Sequence, residues 1–160
     1  MTKKVKTTFD QLTDSGRSEL MSKIKSKDTK PELLLRKILH RDGLRYRKHK
    51  SDLPGKPDIS IKKYKVIVDV RGCFWHGHSN CPDGHTPRKN SEFWIKKLNA
   101  NKKRDETNLE KYQNMGYKVF IFWECEIRNK QKLEDKLFKL YEFLNNAFGI
   151  SLPTNNKQKK

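Results

Sequence analysis

Long apolar runs are missing from this chain. No stretch of the roughly 18 apolar residues that a membrane-crossing helix requires occurs anywhere, and the N-terminal MTKKVKTTFDQ lacks the apolar centre of a secretory signal. A cytosolic protein is therefore expected. Cysteine is scarce and odd in number, with Cys73, Cys81 and Cys125 alone. That argues against a disulfide framework and leaves metal ligation or buried thiols as the roles for sulfur. Acid is also in short supply: 19 Asp and Glu stand against 37 Lys and Arg, for a formal net charge of +18. So large an excess points to a polyanionic partner, because cationic side chains gain affinity for nucleic acid by releasing phosphate counterions. Charge names the partner class and no activity. At 160 residues the chain suits one compact domain, expected over residues 18–148, with a polar N-terminal tail over 1–17 and a basic C-terminal tail over 149–160.

Hydrophobic periodicity organises the part between the tails. Ser15 to Ser26 predicts a short basic helix presenting Leu20, Met21 and Ile24. Thr29-Lys30-Pro31-Glu32 has the pattern of a capping box and opens the helix ELLLRKILHRD, which Gly43 ends. Two β-patterned runs, Asp58 to Ile61 and Lys65 to Arg71, joined by Lys62–Tyr64, predict an antiparallel hairpin. Strand alternation puts Val66, Val68 and Val70 on one face and Ile67, Asp69 and Arg71 on the other. Ser91 to Met115 then predicts a long basic helix closed by Gly116. Tyr117 to Trp123 predicts a buried strand with Trp123 in the core, and Asn129 to Asn146 an amphipathic helix with Leu133, Leu137, Leu140, Tyr141 and Leu144 inward. The order describes a mixed α/β fold, a sheet flanked by helices.

Two constellations carry chemistry. Cys73-Phe-Trp-His76-Gly-His78-Ser-Asn-Cys81 packs two thiols and two imidazoles into nine residues, and Cys125 follows the predicted buried strand in Trp-Glu-Cys. Four such ligands suit a structural, tetrahedral Zn²⁺. The expected set is Cys73, His78, Cys81 and Cys125, leaving His76 free, with His85 as a competing ligand. The second constellation is Pro57-Asp58 followed across the hairpin by Asp69-Val70-Arg71, which resembles the PD-(D/E)xK pattern of restriction-type nucleases with Arg in place of the usual Lys. Asp58 and Asp69 would then hold Mg²⁺, able to neutralise charge on a pentavalent phosphate. Arg71 would stabilise the phosphate or orient the water, being too firmly protonated to act as a base.

Taken together, LPGKPDISI, RGCFWHGHSNC, SEFWIKKLNANKKRD and LEKYQNMGYKVFIFWEC follow the order and spacing of the very-short-patch repair (Vsr) endonucleases, a resemblance covering about residues 18 to 130. The resemblance implies a restriction-endonuclease-like core with an added zinc site, and a Mg²⁺-dependent enzyme that nicks one strand of DNA on the 5′ side of the thymine in a T:G mismatch. It further implies Asp58 as the essential metal ligand, His76 as the histidine that activates or positions water, and Glu32 as a supporting acid. One position departs from the family: where a His or Asp commonly precedes Gly-Cys-Phe-Trp-His, this chain has Arg71, with Asp69 two residues earlier. The expectation is that Asp69 replaces the missing ligand and that the Val70 carbonyl completes the shell.

Large rigid side chains next to a phosphate-binding surface can wedge into base steps, most cheaply where a mismatch has weakened stacking. In the family, the residues matching Phe74, Trp75 and Trp94 insert into DNA, and those matching Met21 and Ile24 approach from the other groove. A core-filling role is the alternative for all five. The expected partner is double-stranded DNA, bound by a monomer, nucleoid-associated if the source is bacterial, with a possible functional link to a DNA cytosine methyltransferase. Two other classes share parts of this pattern. A restriction-like endonuclease would cut matched DNA, and a zinc-stabilised DNA-binding protein would not cut at all.

Overall fold

A computed structural model describes residues 13–154 of the chain. Residues 1–12 of the predicted N-terminal tail and 155–160 of the predicted C-terminal tail lie outside the described residues. The ends of the described region are more ordered in pattern than expected. Helix α1 (Asp14–Ser22) begins within the stretch read as N-terminal tail, where the Thr13 hydroxyl accepts the Gly16 N–H and caps it. It stops four residues before the predicted Ser26, so Ile24 follows the helix. At the other end, Leu152 exchanges two hydrogen bonds with the Asn145 side chain, and Ile150 and Leu152 pack on the core. Residues 149–154 are therefore docked against the last helix.

Helix α2 (Lys30–Arg41) starts at Thr29 with Pro31 in its first turn, where a missing N–H costs nothing. The expected capping box is not formed in its usual way. Glu32 reaches back to the N–H of Asp28 (3.0 Å) and to the Thr29 hydroxyl (2.8 Å), which donates to it and leaves the helix N–H groups alone. The chain then runs to β1 (Ile59–Ile61), a 3-10 turn at Lys62–Tyr64, and β2 (Val66–Arg71). Lys65 takes the left-handed conformation that closes the turn. Helix α3 (Ser91–Asn114) follows, then β3 (Lys118–Trp123), a short α4 (Glu124–Arg128) and α5 (Lys130–Phe148). The predicted final helix was one element; α4 before it is set off by Asn129, whose side chain caps α5 on the N–H of Lys132.

The sheet has the order β1-β2-β3. Strands β1 and β2 are antiparallel with Ile59 opposite Val68, and β2 and β3 are parallel with Asp69 opposite Ile121. Helix α3 makes the long connection that a parallel pair requires. Val66, Val68 and Val70 face the main core with Leu35, Leu39, Phe122, Leu140 and Leu144, as the alternation predicts. Ile67 faces the other way, toward Leu53, Tyr112 and Val119 beneath α3. Asp69 and Arg71 share that second face at the carboxyl end of β2. Strand β3 is less buried than expected, with Phe122 alone fully enclosed, because it pairs on one side only.

Candidate active site and metal-ligand cluster

Asp58 precedes β1 by one residue, and the hairpin register continues from Ile59 opposite Val68 to bring it beside Asp69 and Val70. The Val70 N–H donates to Asp58 Oδ2 at 2.8 Å, which ties the carboxylate to the neighbouring strand. Asp69 Oδ2 accepts from Arg71 Nε at 2.8 Å, as expected for residues two apart on one strand face. Glu32 arrives from the first turn of α2, only 4 % exposed. Arg36 Nη2 donates to it at 2.8 Å and Arg36 Nη1 to Asp28 at 2.7 Å. Burial pushes the Asp58 carboxyl up to about 7; the Val70 N–H works against this, while the carboxylates of Asp69 and Glu32 add to it. A site that concentrates negative charge in this way gains most from a bound cation. The donor set, all carboxylate oxygen, fits a hard divalent ion such as Mg²⁺.

His76 sits in the loop after β2. Its Nδ1 lies 2.5 Å from Asp105 Oδ2 on α3, and Asp105 is largely buried. Sequence reasoning did not find Asp105. It is 29 residues from His76 and directly follows a run of basic residues, and the signal available was an acid one helical turn beyond Asn101, which itself donates to the Trp75 carbonyl at 3.0 Å. An aspartate on Nδ1 fixes the tautomer and leaves Nε2 as the basic nitrogen.

Asp58, Asp69, Arg71, Glu32 and His76 line one cleft of about 1520 Å³ together with Asp105, Met21, Ile24, Trp75, Phe93, Trp94 and Lys97. That volume exceeds the ~300–1,000 Å³ usual for small-molecule sites, as a polymeric substrate would need. Phe74, Trp75, Trp94 and Phe93 form a chain of aromatic contacts with centroids 5.1 to 5.3 Å apart in the successive pairs Trp75–Phe74, Phe74–Trp94 and Trp94–Phe93. Exposure divides them unexpectedly. Trp94 is 5 % exposed, Phe74 and Trp75 are half-buried, and Phe93, which sequence reasoning passed over, is 58 % exposed with Lys97 Nζ 5.7 Å from its ring centre. Helical geometry explains the split: adjacent positions on a helix differ by about 100°, so one faces the protein and the other solvent. Ile24, at 44 % exposed, is no core residue.

The ligating atoms of Cys73, His78, Cys81 and Cys125 all lie within 4.8 Å of one another. His78 Nδ1 is 3.5 Å from the Cys73 sulfur and 3.4 Å from that of Cys125. Burial pushes the Cys73 thiol up to about 12, with a backbone N–H of Cys125 opposing and the thiols of Cys125 and Cys81 reinforcing it. So crowded a set of sulfurs becomes a set of thiolates only around a cation, and three thiols with one imidazole fit Zn²⁺. His85 stays outside the cluster, exposed, with Nδ1 2.6 Å from the Pro82 carbonyl. Gly84 is fixed by close approach: a Cβ there would meet the His78 carbonyl oxygen at 2.2 Å. Trp123, expected in the core, instead stacks on His78 with centroids 4.0 Å apart and an interplanar angle of 3°. Its ring centre is 6.0 Å from the Arg71 guanidinium.

Comparison with known proteins bears on this arrangement. Residues 9–82 match the family model described as DNA mismatch endonuclease Vsr. A type II nicking enzyme from Neisseria meningitidis, V.NmeAIP, is 46% identical over 138 residues, covering 86% of this chain and 98% of the relative. A second nicking enzyme, V.XorIIP from Xanthomonas oryzae, is 38% identical over 80% of this chain and 93% of its own length. The DNA mismatch endonuclease Vsr of Escherichia coli is 37% identical over 75% of this chain and 76% of its own. The mixed sheet flanked by helices is consistent with membership among these endonucleases. The chain belongs to the Vsr family.

Proposed function

We propose that this protein is a DNA endonuclease that nicks one strand of the duplex 5′ of the thymine at a T:G mismatch, by phosphodiester hydrolysis dependent on Mg²⁺. The observation that carries the reading is the cleft itself. It joins a cation-seeking carboxylate, Asp58, to a histidine held by an aspartate and to a row of aromatic side chains. Asp58 would hold Mg²⁺ with Asp69 beside it and the Val70 carbonyl completing the shell. When bound, the ion supplies charge neutralisation at the pentavalent phosphate and lowers the pKa of a nearby water. His76, oriented through Asp105, accepts the proton of the attacking water at Nε2. Arg71 offers positive charge next to the phosphate, while Glu32, held by Asp28, Thr29 and Arg36 at the start of α2, adds negative charge near Asp58. Cys73, His78, Cys81 and Cys125 would bind a structural Zn²⁺ that pins the His76 loop to the start of α4. The restriction-type nuclease core is the architecture this reading assigns to the sheet.

Recognition follows from what is exposed. Phe93 and Trp75 on one part of the cleft, with Phe74 packed behind against Trp75 and Trp94, and Met21 and Ile24 on another part supply the apolar surface that a distorted base step can receive. Trp94, enclosed beneath Phe93, braces that surface. Lys and Arg contacts to phosphate provide affinity that does not depend on sequence. A monomer with a single such cleft addresses one strand, hence a nick. The excess positive charge and the nuclease-family relatives favour DNA as partner, and nicking enzymes among those relatives favour single-strand cleavage. A restriction-like activity on matched DNA is the alternative within the same chemistry. The direct test is single-turnover nicking of a T:G duplex by zinc-loaded protein with and without Mg²⁺. Native protein should nick only with Mg²⁺ (or Mn²⁺), and Asp58→Ala should bind the duplex without cutting it. Nicking by Asp58→Ala at the native rate would remove Asp58 from the mechanism.

A further inference from the structure

Helix α3 turns one polar stripe toward the two loops that carry the cleft's chemistry. Asn101, Asp105, Asn108 and Tyr112 recur at spacings of four, three and four residues, which puts them on one face over about three turns. The first two hold the loop after β2: Asn101 donates to the Trp75 carbonyl at 3.0 Å, and Asp105 meets His76 Nδ1. The last two meet the loop before β1. The Tyr112 hydroxyl donates to the Pro54 carbonyl, and the Asn108 amide lies so close to Gly55 that a Cβ there would meet its nitrogen at 2.3 Å. Leu53 and Tyr112 are buried with Ile67 in the smaller core. Burial pushes the Tyr112 hydroxyl up, with Asp69 and Asp58 adding to this, so it stays a donor.

The loop over 53–57 needs holding. Gly55 and Lys56 both take positive φ, +66° and +52°, and for Lys56 the left-handed conformation is unfavourable because its Cβ crowds the following carbonyl. Such a conformation persists only where surrounding contacts over-determine it. Asp58 lies two residues on, just outside β1, which is three residues long, and the ends of short elements fray. One oxygen of its carboxylate is tied to the Val70 N–H, and the Pro57 carbonyl accepts from the His49 N–H at 3.1 Å. The rest of its placement comes from the loop, and that loop is referred to the same helix as the His76 loop. We propose that Tyr112, with Asn108 beside it, is a positioning residue that keeps Asp58 in register with His76 by fixing residues 53–57 on α3. The inference rests on the reading of Asp58 as a cation ligand given above.

The test is the Mn²⁺ affinity of the zinc-loaded full chain, read from the electron paramagnetic resonance signal of free Mn²⁺ and taken as the binding that Asp58→Asn loses. Tyr112→Phe keeps the ring in the core and removes only the hydroxyl. It should weaken that binding about tenfold, the scale of losing a group that orients a metal ligand. Single-turnover nicking at saturating Mg²⁺ should slow as well, with duplex affinity unchanged. Asn108→Ala should act in the same direction, and it carries the test if Tyr112→Phe fails to fold. Tyr117 packs on the same core, and Tyr117→Leu loosens that core without removing the Pro54 hydrogen bond. It should lower the melting temperature and leave Mn²⁺ affinity native, which separates positioning from general loosening. Native Mn²⁺ affinity in Tyr112→Phe would overturn the inference whatever its nicking rate, as would an equal loss in Tyr117→Leu. Native protein with no Asp58-dependent Mn²⁺ would overturn the reading of Asp58 and this inference with it. Weakened Mn²⁺ binding in Tyr112→Phe, beside a native protein that does not nick, would sustain the positioning role and remove the proposed activity.

Discussion

Asp58 is partly withdrawn from water and faces like charges, and its pKa of about 7 has a consequence for stability as well as for metal binding. Its folded-state value lies above the unfolded one, so between about pH 4 and pH 7 the folded chain holds the proton more firmly. Stability from this group is therefore complete at low pH and is lost as pH rises through 7. In zinc-loaded protein with no Mg²⁺ or Mn²⁺ added, Asp58→Asn should melt a few degrees above native at pH 8, with the difference closing near pH 4. Equal melting temperatures at pH 8 would show that the carboxylate is already compensated. At His76, loss of the imidazole in His76→Ala should slow single-turnover nicking about 10²- to 10⁴-fold with little change in duplex affinity. Asp105→Asn should act in the same direction through the tautomer, and native nicking by that variant would reduce the 2.5 Å contact to a structural bond. The sequence made His76 legible by its place in Cys-Phe-Trp-His. It did not reveal Asp105, because a partner 29 residues away follows from how α3 lies across the sheet, and no spacing rule encodes that.

The elements most readily read were those whose pattern is set by burial. The alternation of Val66, Val68 and Val70 against Ile67 predicted both faces of β2, and the core partners on each side follow it. The grouping of Cys73, His78, Cys81 and Cys125 was equally readable, since thiols and an imidazole at short spacing suit a shared ion and the structure brings the four together. Boundaries were less so: α1 stops at Ser22 and α4 precedes α5 as a separate turn, both decided by local capping and not by hydrophobic period. Exposure along α3 was misjudged. The family resemblance pointed to Trp94, yet helical rotation turns it inward and Phe93 outward. Phe93→Ala should accordingly cost about tenfold in discrimination between mismatched and matched duplex, near the low end of base-stacking energies, with affinity for matched DNA nearly unchanged. Equal losses on both duplexes, measured by competition binding, would make it a general contact. At the other end of the cleft's scaffold, Cys125→Ser should release zinc and lower the melting temperature, because one open corner weakens a site whose binding energy contributes to folding. Stoichiometric zinc with unchanged melting in that variant would contradict the assignment.

At the scale of the whole molecule, the chain joins an excess of positive charge to one cleft lined by Asp58, Asp69 and His76, with the Cys73, His78, Cys81 and Cys125 group on the adjoining loop. Remote contacts hold that frame. The Tyr141 hydroxyl at α5 donates to Asp42 at 2.7 Å across 99 residues. Burial pushes the Asp42 carboxyl up, but the hydrogen bonds from Arg41 and Tyr141 outweigh it and set its pKa below the ordinary carboxylate value. Its contribution is therefore present above about pH 4 and is lost as pH falls through the lowered value. Tyr141→Phe should cost about 1–3 kcal/mol in denaturant unfolding at neutral pH, and less in acid. The proposed function rests on a choice between matched and mismatched duplex, assigned to the intact cleft. The decisive measurement is strand-resolved, single-turnover cleavage of end-labelled duplexes that differ only in a T:G or a T:A pair, with Mg²⁺ present. The account predicts one nick, on the thymine strand and 5′ of the mismatched base, at a rate well above that on the matched duplex. Cleavage of both strands of the matched duplex at the same rate would contradict it and leave a restriction-like nuclease in its place.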